Sequence, residues 1–341
     1  MKTNERTLFF SMTYEFLEIY MPKRLGRSAQ TIRSYRDALT VFRRFLFEKK
    51  GISVSKFYMS DCNRECLDSF VAYMKESGST SGTCNQRLAA IKSYMWFAAD
   101  NDIALQSIAL TVSKTPPCKT VKKEQELLSD DALASLFTLP PNSKLGLRDR
   151  TILIMLYDTA VRINELLSIK LKDLNASGSN PYVYIHGKGN KERIVALSEK
   201  TVEHLQNYLK AFHRNSDNDT FLFYTVIKGN VGKMSSGNVE RLIQNYADKV
   251  RELGISIPEK VYPHMFRRTR ATNLYRSGVE LELISKILGH SMIETTKIYA
   301  IPSLEQMRNA MESVRTYGDQ SELPLWEGSS EEEMARLCGL R

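Results

Sequence analysis

Long apolar runs and cysteine are both scarce in this chain. No stretch of 18 apolar residues occurs in the 341-residue sequence, and its N-terminal end lacks an apolar core between positive charge and a small-residue cleavage site. The five cysteines are an odd number in a chain too long to need disulfide staples. We therefore expect a cytoplasmic protein, in a reducing compartment, that does not contact a membrane.

Motifs for metal ions and nucleotides are missing as well. Cys62 and Cys66 lie one helical turn apart, but no histidine or second cysteine pair stands nearby at ligand spacing. We favour two small, half-buried helix residues over a metal site. Neither a Gly-x4-Gly-Lys-Ser/Thr phosphate loop nor a carboxylate cluster occurs in the sequence. The sequence predicts no metal and no cofactor.

Positive charge is in excess, and it is unevenly distributed. The net charge is +9; Lys114–Tyr317 carries 30 basic and 22 acidic residues, whereas Gly318–Arg341 carries 2 and 6. A basic body indicates a polyanionic partner such as nucleic acid, because each lysine or arginine placed against a phosphate releases counterions. Ordinary solvated lysine faces are the alternative.

Apolar periodicity divides the chain into two domains. From Thr7 to about Ala109 apolar residues recur at helical spacing, which predicts an all-helical domain over residues 1–113. Two prolines and four lysines then break the pattern and indicate a linker over residues 114–126. Ser129 and the two aspartates after it resemble a helix start, so the second domain is assigned to residues 127–317. Residues 318–341 form an acidic tail.

The second domain also contains one hairpin. Tyr182–His186 and Arg193–Leu197 have β-propensity and flank a Gly187–Asn190 turn. Helical patterns precede and follow this hairpin. The predicted fold class is therefore mainly α, with an all-helical N-terminal domain and a mostly helical second domain that carries a small antiparallel sheet.

Basic side chains recur along the N-terminal helices and the linker. They would suit either a phosphate-facing surface or an ordinary polar helix face, and the sequence leaves both open. The candidates for DNA contact are Arg33, Arg36, Arg87, Lys92, Lys119 and Lys122.

Four polar groups near the C-terminus suit cleavage of a phosphodiester by a tyrosine. His264 and Arg267 share a helix face at i and i+3. Gly289 ends an amphipathic helix and leaves His290 just beyond it, and Ser291-x-x-Glu294 predicts a capping box for a short helix with Tyr299 in its last turns. Arginine stabilises the charge that develops on phosphate. A tyrosine of ordinary pKa needs roughly 4 kcal/mol from its surroundings at neutral pH.

The chain resembles the tyrosine recombinase (phage integrase) family. Residues 127 to 315 carry the resemblance, and the N-terminal domain is similar more loosely to the family's core-site-binding domain. The matching segments, in family order, are Thr159-Ala-Val-Arg162-Ile-Asn-Glu165-Leu166, Gly187-Lys188-Gly189-Asn190-Lys191-Glu192-Arg193, His264-Met-Phe-Arg267-Arg-Thr269-Arg-Ala271-Thr272, and Leu288-Gly289-His290-Ser291-Met-Ile-Glu-Thr295-Thr-Lys-Ile-Tyr299-Ala300.

This resemblance implies a role for each matched residue. The scissile phosphate would be clamped by two arginines and hydrogen-bonded by two histidines, while a tyrosine forms the 3′-phosphotyrosyl bond and a lysine protonates the leaving 5′ oxygen. A carboxylate would buttress these groups. In that order the residues are Arg162 and Arg267, His264 and His290, Tyr299, Lys188 and Glu165. Lys191 is the only nearby competitor for the role of Lys188.

Three positions depart from the family pattern. Ala160 stands where a glycine is usual, which would alter how the backbone turns before Arg162. Arg268 and Arg270 replace the commoner histidine and phenylalanine and add charge beside Arg267. Contact with the DNA backbone and simple solvation are both open for these two arginines.

The resemblance further implies a site-specific DNA recombinase that acts through a Holliday junction without ATP or metal. Its partners would be duplex DNA with a specific target site, further copies of the chain in a tetramer, and accessory proteins where a site requires them. Helix 303–314 is the candidate for exchange between subunits, with packing on its own domain as the alternative; the tail with Trp326 is either disordered or part of that contact. A type IB topoisomerase-like enzyme and a non-catalytic DNA-binding regulator are the rival functions.

Overall fold

The computed structural model describes residues 7–120, 126–187, 192–290, 292–302, 304–313 and 330–340. The chain forms two compact units, Met1–Glu124 and Gln125–Arg341. Within the described ranges, no helix is both long enough and apolar enough to span a bilayer.

The first unit is built from helices. A π-helix from Glu15 to Arg24 precedes α1, whose first turn is capped by Ser28 accepting the amide of Thr31, and Gly51 ends α1 with a φ of +63°. The α-helices of this unit are α1 (Ala29–Lys50), α2 (Arg64–Glu76), α3 (Ser81–Asn101) and α4 (Gln106–Ser113).

Aromatic rings fill the core of the first unit. Phe42 on α1 is fully buried and packs edge-on against Phe57 and Phe70. The two cysteines that the sequence places on one half-buried helix face are instead fully buried, and Cys62 precedes α2 rather than lying on it. Burial raises the pKa of Cys62 and raises that of Cys66 to about 11. Both act as small apolar core residues.

The second unit is mostly helical and contains two small antiparallel sheets. The predicted fold class is therefore confirmed. The α-helices are α5 (Asp130–Thr138), α6 (Lys144–Asp158), α7 (Ile163–Ser168), α8 (Glu199–Phe212), α9 (Ser236–Glu252), α10 (Pro263–Arg276), α11 (Leu281–Leu288), α12 (Glu294–Lys297), α13 (Leu304–Ser313) and α14 (Glu331–Leu337). The strands are β1 (Leu174–Asn175), β2 (Tyr182–His186), β3 (Glu192–Ala196), β4 (Tyr224–Ile227) and β5 (Asn230–Lys233).

The predicted hairpin is present as β2 and β3, with Tyr182 opposite Ala196 and His186 opposite Glu192; β1 extends it to three strands. The sequence prediction missed the second hairpin, β4–β5. Its strands are only four residues long, and Val226 and Ile227 are both exposed, so the alternation that marks a half-buried strand is absent.

The region around Tyr299 confirms one predicted boundary and corrects two. Gly289 ends α11 with a φ of +66°, as predicted, which leaves His290 beyond the helix. The start of α12 is later than predicted: the helix begins at Glu294 after Ile293, which makes no side-chain cap hydrogen bond. Ser291 lies outside the described residues. Tyr299 follows the end of α12 instead of lying within it, and its amide donates to the carbonyl of Thr296 at 2.9 Å.

The acidic tail is described only over residues 330–340. There it forms the exposed helix α14, whose first turn is closed by Ser330 and Glu333. This part of the tail is helical, so the disordered alternative does not hold for it. Trp326 lies outside the described residues.

Two non-glycine residues of the described chain adopt left-handed backbone. Ala160 has a φ of 50° and is fully buried, while Lys228 has a φ of 49° in the exposed β4–β5 turn. A side chain makes this conformation cost about 1 kcal/mol or more. Ala160 therefore holds, at a cost in strain, a backbone conformation that glycine adopts readily.

Replacing each of these residues by glycine separates strain from packing. Lys228→Gly relieves strain at a solvent-exposed turn, so we expect the free energy of unfolding to rise by about 0.5–1 kcal/mol. Ala160→Gly also removes a buried methyl group worth about 0.8 kcal/mol, so its net change should be close to zero. Urea denaturation of both variants measures the difference. An equal gain at the two positions would show that the Ala160 methyl group contributes nothing to stability.

Candidate active site

Arg267 is fully buried and joins three segments of the second unit. It lies on α10, which begins at Pro263, a residue suited to the first helical position. Its Nη1 donates to the carbonyl of Ala160 at 2.8 Å, and its Nη2 donates to the carbonyl of Leu288 at 2.8 Å and to Nε2 of His290 at 2.9 Å. Its buried Nε has no partner among the described residues.

His290 is fixed in one tautomer by its two neighbours. A guanidinium only donates, so Nε2 of His290 accepts from Arg267 and the ring proton sits on Nδ1. That Nδ1 donates to Oγ1 of Thr296 at 2.9 Å. The imidazole stacks on the ring of Tyr299 with centroids 6.0 Å apart and an interplanar angle of 24°. Tyr299 itself is 1% exposed.

The start of α7 holds a second guanidinium. The backbone amide of Arg162 donates to Oε2 of Glu165 at 3.0 Å, and its Nη1 donates to Oε1 at 2.8 Å. Arg193 on β3 reaches the same carboxylate, with Nη2 2.8 Å from Oε2. Glu165 is 7% exposed, whereas 44% of the Arg162 side chain remains open to solvent.

Two guanidinium groups thus bind a single carboxylate, and Arg267 interacts with it at longer range. Burial lowers the pKa of Arg267 to about 10, with the charge of Arg162 adding to the effect, so Arg267 stays charged at neutral pH. Burial alone would raise the pKa of Glu165, but hydrogen bonds from Arg193 and Arg162 hold it below its ordinary value. The described part of the site therefore carries excess positive charge, which favours binding of an anion.

This positive charge acts on both histidines. Burial, then the charges of Arg267 and Arg162, lowers the pKa of His290 to about 4. Burial, then Arg267 and Arg268, lowers the pKa of His264, which lies on the first turn of α10. Both imidazoles are consequently neutral at pH 7 in the chain without a bound anion.

The structure links three of the predicted site residues to one another and places three more nearby. Hydrogen bonds and ring stacking link Arg267, His290 and Tyr299, and the charge of Arg162, which is paired with Glu165, is close enough to shift the pKa of the buried groups. His264 borders this group on α10. Lys188, and Lys191 with it, lies outside the described residues.

The predicted DNA-contact residues of the first unit occupy varied surroundings. Arg33 and Lys119 are exposed. Arg36 pairs with Glu18 at 2.6 Å, and Arg87 donates to Oγ of Ser79 at 3.1 Å. Lys122 lies outside the described residues.

Lys92 has an internal partner. Its Nζ donates to the carbonyls of Ser113 and Thr115, at 3.1 and 2.6 Å, and so caps the end of α4. This intramolecular role was not among the alternatives that the sequence left open.

Each of the two additional arginines of α10 has a hydrogen-bond partner inside the protein. Arg270 donates to Oδ1 of Asp158 at 2.9 Å and lies over the ring of Tyr157, with its guanidinium carbon 5.2 Å from the centroid. Arg268 donates to the carbonyl of Glu126 at 3.4 Å, and its Nε is buried without a partner in the part of the chain that the structure describes. Arg270 is therefore an internal ion pair that fixes α10 to the end of α6.

Sequence reasoning missed three residues of this region. Thr296 orients His290, and Asp158 binds Arg270. Arg193 stood inside a recognised motif but was given no role. Its position on β3 held a signal: it shares the inward face of the strand with buried Val195, and an arginine on such a face needs internal partners. No group of three or more candidate ligands for a metal is present within the described ranges.

Two family models match this chain. The model of the phage integrase family matches residues 126–305, and that of the phage integrase N-terminal SAM-like domain matches residues 15–102. The chain belongs to the phage integrase family. Each match falls within one of the two compact units.

Curated relatives of this phage integrase family member are named tyrosine recombinases. Tyrosine recombinase XerD of Staphylococcus saprophyticus is 30% identical over 284 residues, which cover 83% of this chain and 91% of the relative. Tyrosine recombinase XerA of Pyrococcus horikoshii is 28% identical over 291 residues, covering 85% and 89%. The predicted family and the predicted enzyme class, a tyrosine-type site-specific recombinase, are confirmed.

Solved structures of recombinases share the fold. XerH recombinase bound to its difH substrate, in a pre-cleavage complex, aligns with a TM-score of 0.63 and 20% identity over 88% of this chain and 84% of that one. The Tn1549 transposon integrase in complex with a circular intermediate DNA aligns with a TM-score of 0.65 and 17% identity over 91% and 100%.

The depressed pKa of His290 makes folding stability depend on pH. The unfolded chain binds a proton on this residue near pH 6.5, whereas the folded chain does so only near pH 4. The unfolded state is therefore favoured increasingly as pH falls from about 6.5 towards 4. We expect His290→Asn to show a smaller loss of stability over this window than the unmodified chain, measured by urea denaturation at a series of pH values. Parallel curves would contradict the buried neutral state of His290.

Proposed function

We propose that this integrase-family chain cleaves and rejoins DNA at a specific site through a covalent bond between Tyr299 and a 3′ phosphate, and exchanges strands through a Holliday junction. The observation that supports it is the excess of fixed positive charge beside a buried tyrosine: Arg162, Arg193 and Arg267 against the single carboxylate Glu165. A phosphodiester is the anion whose charge grows during attack, so preorganised guanidinium groups stabilise the transition state more than the ground state.

In this mechanism Arg162 and Arg267 bind the non-bridging oxygens of the scissile phosphate. The exposed side of Arg162 and the unpartnered Nε of Arg267 provide donors beyond those used inside the protein. The phenolic oxygen of Tyr299 loses its proton to water and forms a bond to phosphorus, the bond from phosphorus to the 5′ oxygen breaks, and Lys188 gives that oxygen a proton. Attack by a 5′ hydroxyl of the partner strand reverses these steps, so no external energy source is needed.

The two histidines act as hydrogen-bond donors to the phosphate. In the free chain Nε2 of His290 accepts from Arg267, and the surrounding cations keep the ring neutral. A bound phosphate adds negative charge, which raises the pKa of His290 and His264 and allows each to carry the extra proton as a donor. Glu165 holds Arg162 and Arg193 in place and remains ionised throughout.

Tyr299 must leave its present environment to reach a phosphate. Its ring is buried in a small apolar cluster with Ala160, Ala271, Ile284 and Leu288. Binding of DNA at the adjacent guanidinium groups has to loosen this cluster before cleavage. Cleavage by Tyr299 therefore requires that DNA is already bound at the guanidinium groups.

The substrate is duplex DNA, held by both units. Relatives of this fold are solved as complexes with DNA, and both units carry exposed basic side chains. We assign residues 1–113 to a core-site-binding domain, 127–317 to the catalytic domain, 114–126 to the linker and 318–341 to the tail. Arg33, Arg36, Arg87, Lys119, Lys122 and Arg268 remain candidates for phosphate contacts, whereas Arg270 and Lys92 are occupied internally.

Strand exchange requires a tetramer on DNA, and α13 is the candidate contact between subunits. Gln306 anchors this helix to its own domain through the carbonyls of Tyr275 and Arg276. Leu304 and Met311 nevertheless stay 83% and 78% exposed on the apolar face of the helix. This face is better suited to a neighbouring subunit than to the domain on which the helix sits.

Trapping of the covalent intermediate tests the nucleophile. Nicked duplexes tiled across the DNA that flanks the gene release the short 5′-hydroxyl fragment after cleavage and so prevent religation. The unmodified chain should form an adduct that survives denaturing electrophoresis, and Tyr299→Phe should form none. Tyr275→Phe, a change in a tyrosine that packs against the same cluster, should leave the adduct intact. An adduct that persists in Tyr299→Phe would show that Tyr299 is not the nucleophile.

A charge-matched pair of variants tests α13. Met311→Asp changes the charge by −1 on the apolar face, and Asn309→Asp changes it equally on the opposite face of the helix, where the side chain is exposed. We expect the first variant to lower the yield of tetramer on two-site DNA at least about 10-fold, because a carboxylate would be desolvated at each contact. Native mass measurement counts the subunits. Equal behaviour of both variants would favour packing within one subunit.

A further inference from the structure

Arg193 lies at the start of β3, five positions after the candidate Lys188 in the sequence. It occupies the inward side of the strand, and its side chain is 11% exposed. A buried guanidinium is costly unless its donors are paired. In this protein the donors of Arg193 reach two different segments, α7 and the end of α11.

The two polar contacts of Arg193 are short and well separated in sequence. Its Nε donates to the carbonyl of Ile287, near the C-terminal end of α11, at 2.7 Å. Its Nη2 donates to Oε2 of Glu165 at 2.8 Å. A cation at the end of a helix also interacts favourably with the helix dipole. One side chain therefore bonds both to the carboxylate that holds Arg162 and to the helix that precedes His290.

Gly289 permits this arrangement. A Cβ atom built on Gly289 would lie 2.9 Å from Nη1 of Arg193 and 3.1 Å from its Cδ, closer than real Cβ contacts. The backbone beside His290 thus packs directly on the arginine. Gly289 serves twice, because its φ of +66° also ends α11.

We propose that Arg193 is a positioning residue of the strand-transfer site, which fixes the β2–β3 hairpin to the Arg162–Glu165 pair and to the turn that bears His290. The inference rests on the function proposed for Tyr299. Arg193 touches no reacting atom in this arrangement; it acts through the three elements that carry the candidate catalytic groups. Moving any one of them by about 1 Å costs on the order of 100-fold in rate.

The role of Arg193 predicts a pH effect that a purely structural residue would not have. Glu165 is faced by Arg193, Arg162 and, at longer range, Arg267. Without Arg193, burial raises the pKa of Glu165 and only Arg162 still donates to it. The carboxylate then takes up a proton at a higher pH, and Arg162 loses its ionised partner. The acid limb of the cleavage profile should therefore move towards neutral pH.

Two variants of Arg193 and one control measure this effect. Arg193→Gln removes the charge, and Arg193→Lys keeps it but cannot bond Ile287 and Glu165 with one planar fork. We expect single-turnover cleavage of the nicked duplex at pH 7.5 to fall about 10- to 100-fold in Arg193→Gln and less in Arg193→Lys. Arg251→Gln is the matched control, because Arg251 also bonds one carboxylate, Asp248, and backbone carbonyls, at Pro258 and Glu259.

The outcomes separate this inference from the proposed function. Adduct formation by the unmodified chain together with none by Tyr299→Phe supports the function irrespective of Arg193. Cleavage by Arg193→Gln at the rate and pH profile of the unmodified chain overturns the positioning role alone. A lower rate with an unshifted acid limb, matched by Arg251→Gln, also overturns it and indicates general destabilisation. If Arg193→Gln fails to fold, the pH profile of cleavage by Arg193→Lys is measured instead. An acid limb shifted towards neutral pH supports the positioning role, and an unshifted acid limb overturns it.

A double-mutant cycle provides a second measure. If Arg193 acts through Glu165, then Glu165→Gln and Arg193→Gln together should slow cleavage by much less than the product of their separate effects. Multiplicative effects of the two variants would show that they act independently and would remove Glu165 from the proposed route.

Discussion

The buried guanidinium of Arg267 is the interaction on which the rest of the site depends. Removing a charged group from water costs several kcal/mol, and only well-placed partners offset that cost. Arg267 finds them in the carbonyls of Ala160 and Leu288 and in the imidazole of His290. These partners come from the segment before α7, from the end of α11 and from the turn after it. A single side chain on α10 thereby sets the position of the segment before Arg162 relative to the turn that bears His290.

The backbone at Ala160 shows what this spacing requires. Its carbonyl reaches Arg267 from a left-handed residue with a φ of 50°, a conformation that costs a residue with a side chain about 1 kcal/mol or more. The methyl group of Ala160 belongs to the same buried cluster as Tyr299. Ala160 therefore combines a strained backbone, a hydrogen bond to Arg267 and membership of the apolar cluster that buries Tyr299. Their proximity connects the candidate nucleophile to the guanidinium group of Arg267.

Local features of the sequence predicted much of this site. The glycine after α11 placed His290 beyond the helix, the spacing of His264 and Arg267 placed both on one helix, and β-propensity with turn chemistry predicted the hairpin β2–β3. Each of these predictions depends on contacts within a few residues. The start of α12 was placed too early, because Ser291-x-x-Glu294 satisfies the capping pattern but the helix begins at Glu294, after Ile293.

The roles of the charged residues were predicted only in part. The sequence identified Arg162 and Arg267 through the family resemblance, but it gave Arg193 no role and left Arg270 open between DNA and solvent. Their partners lie 94 and 112 residues away, at Ile287 and Asp158, and no periodic pattern extends over such distances. The sequence by itself determined the helices, the family and the residue types that suit phosphate chemistry, because these depend on local spacing. Only the tertiary structure decided which guanidinium groups face an anion and which are paired inside, because burial and charge pairing arise from contacts between distant segments.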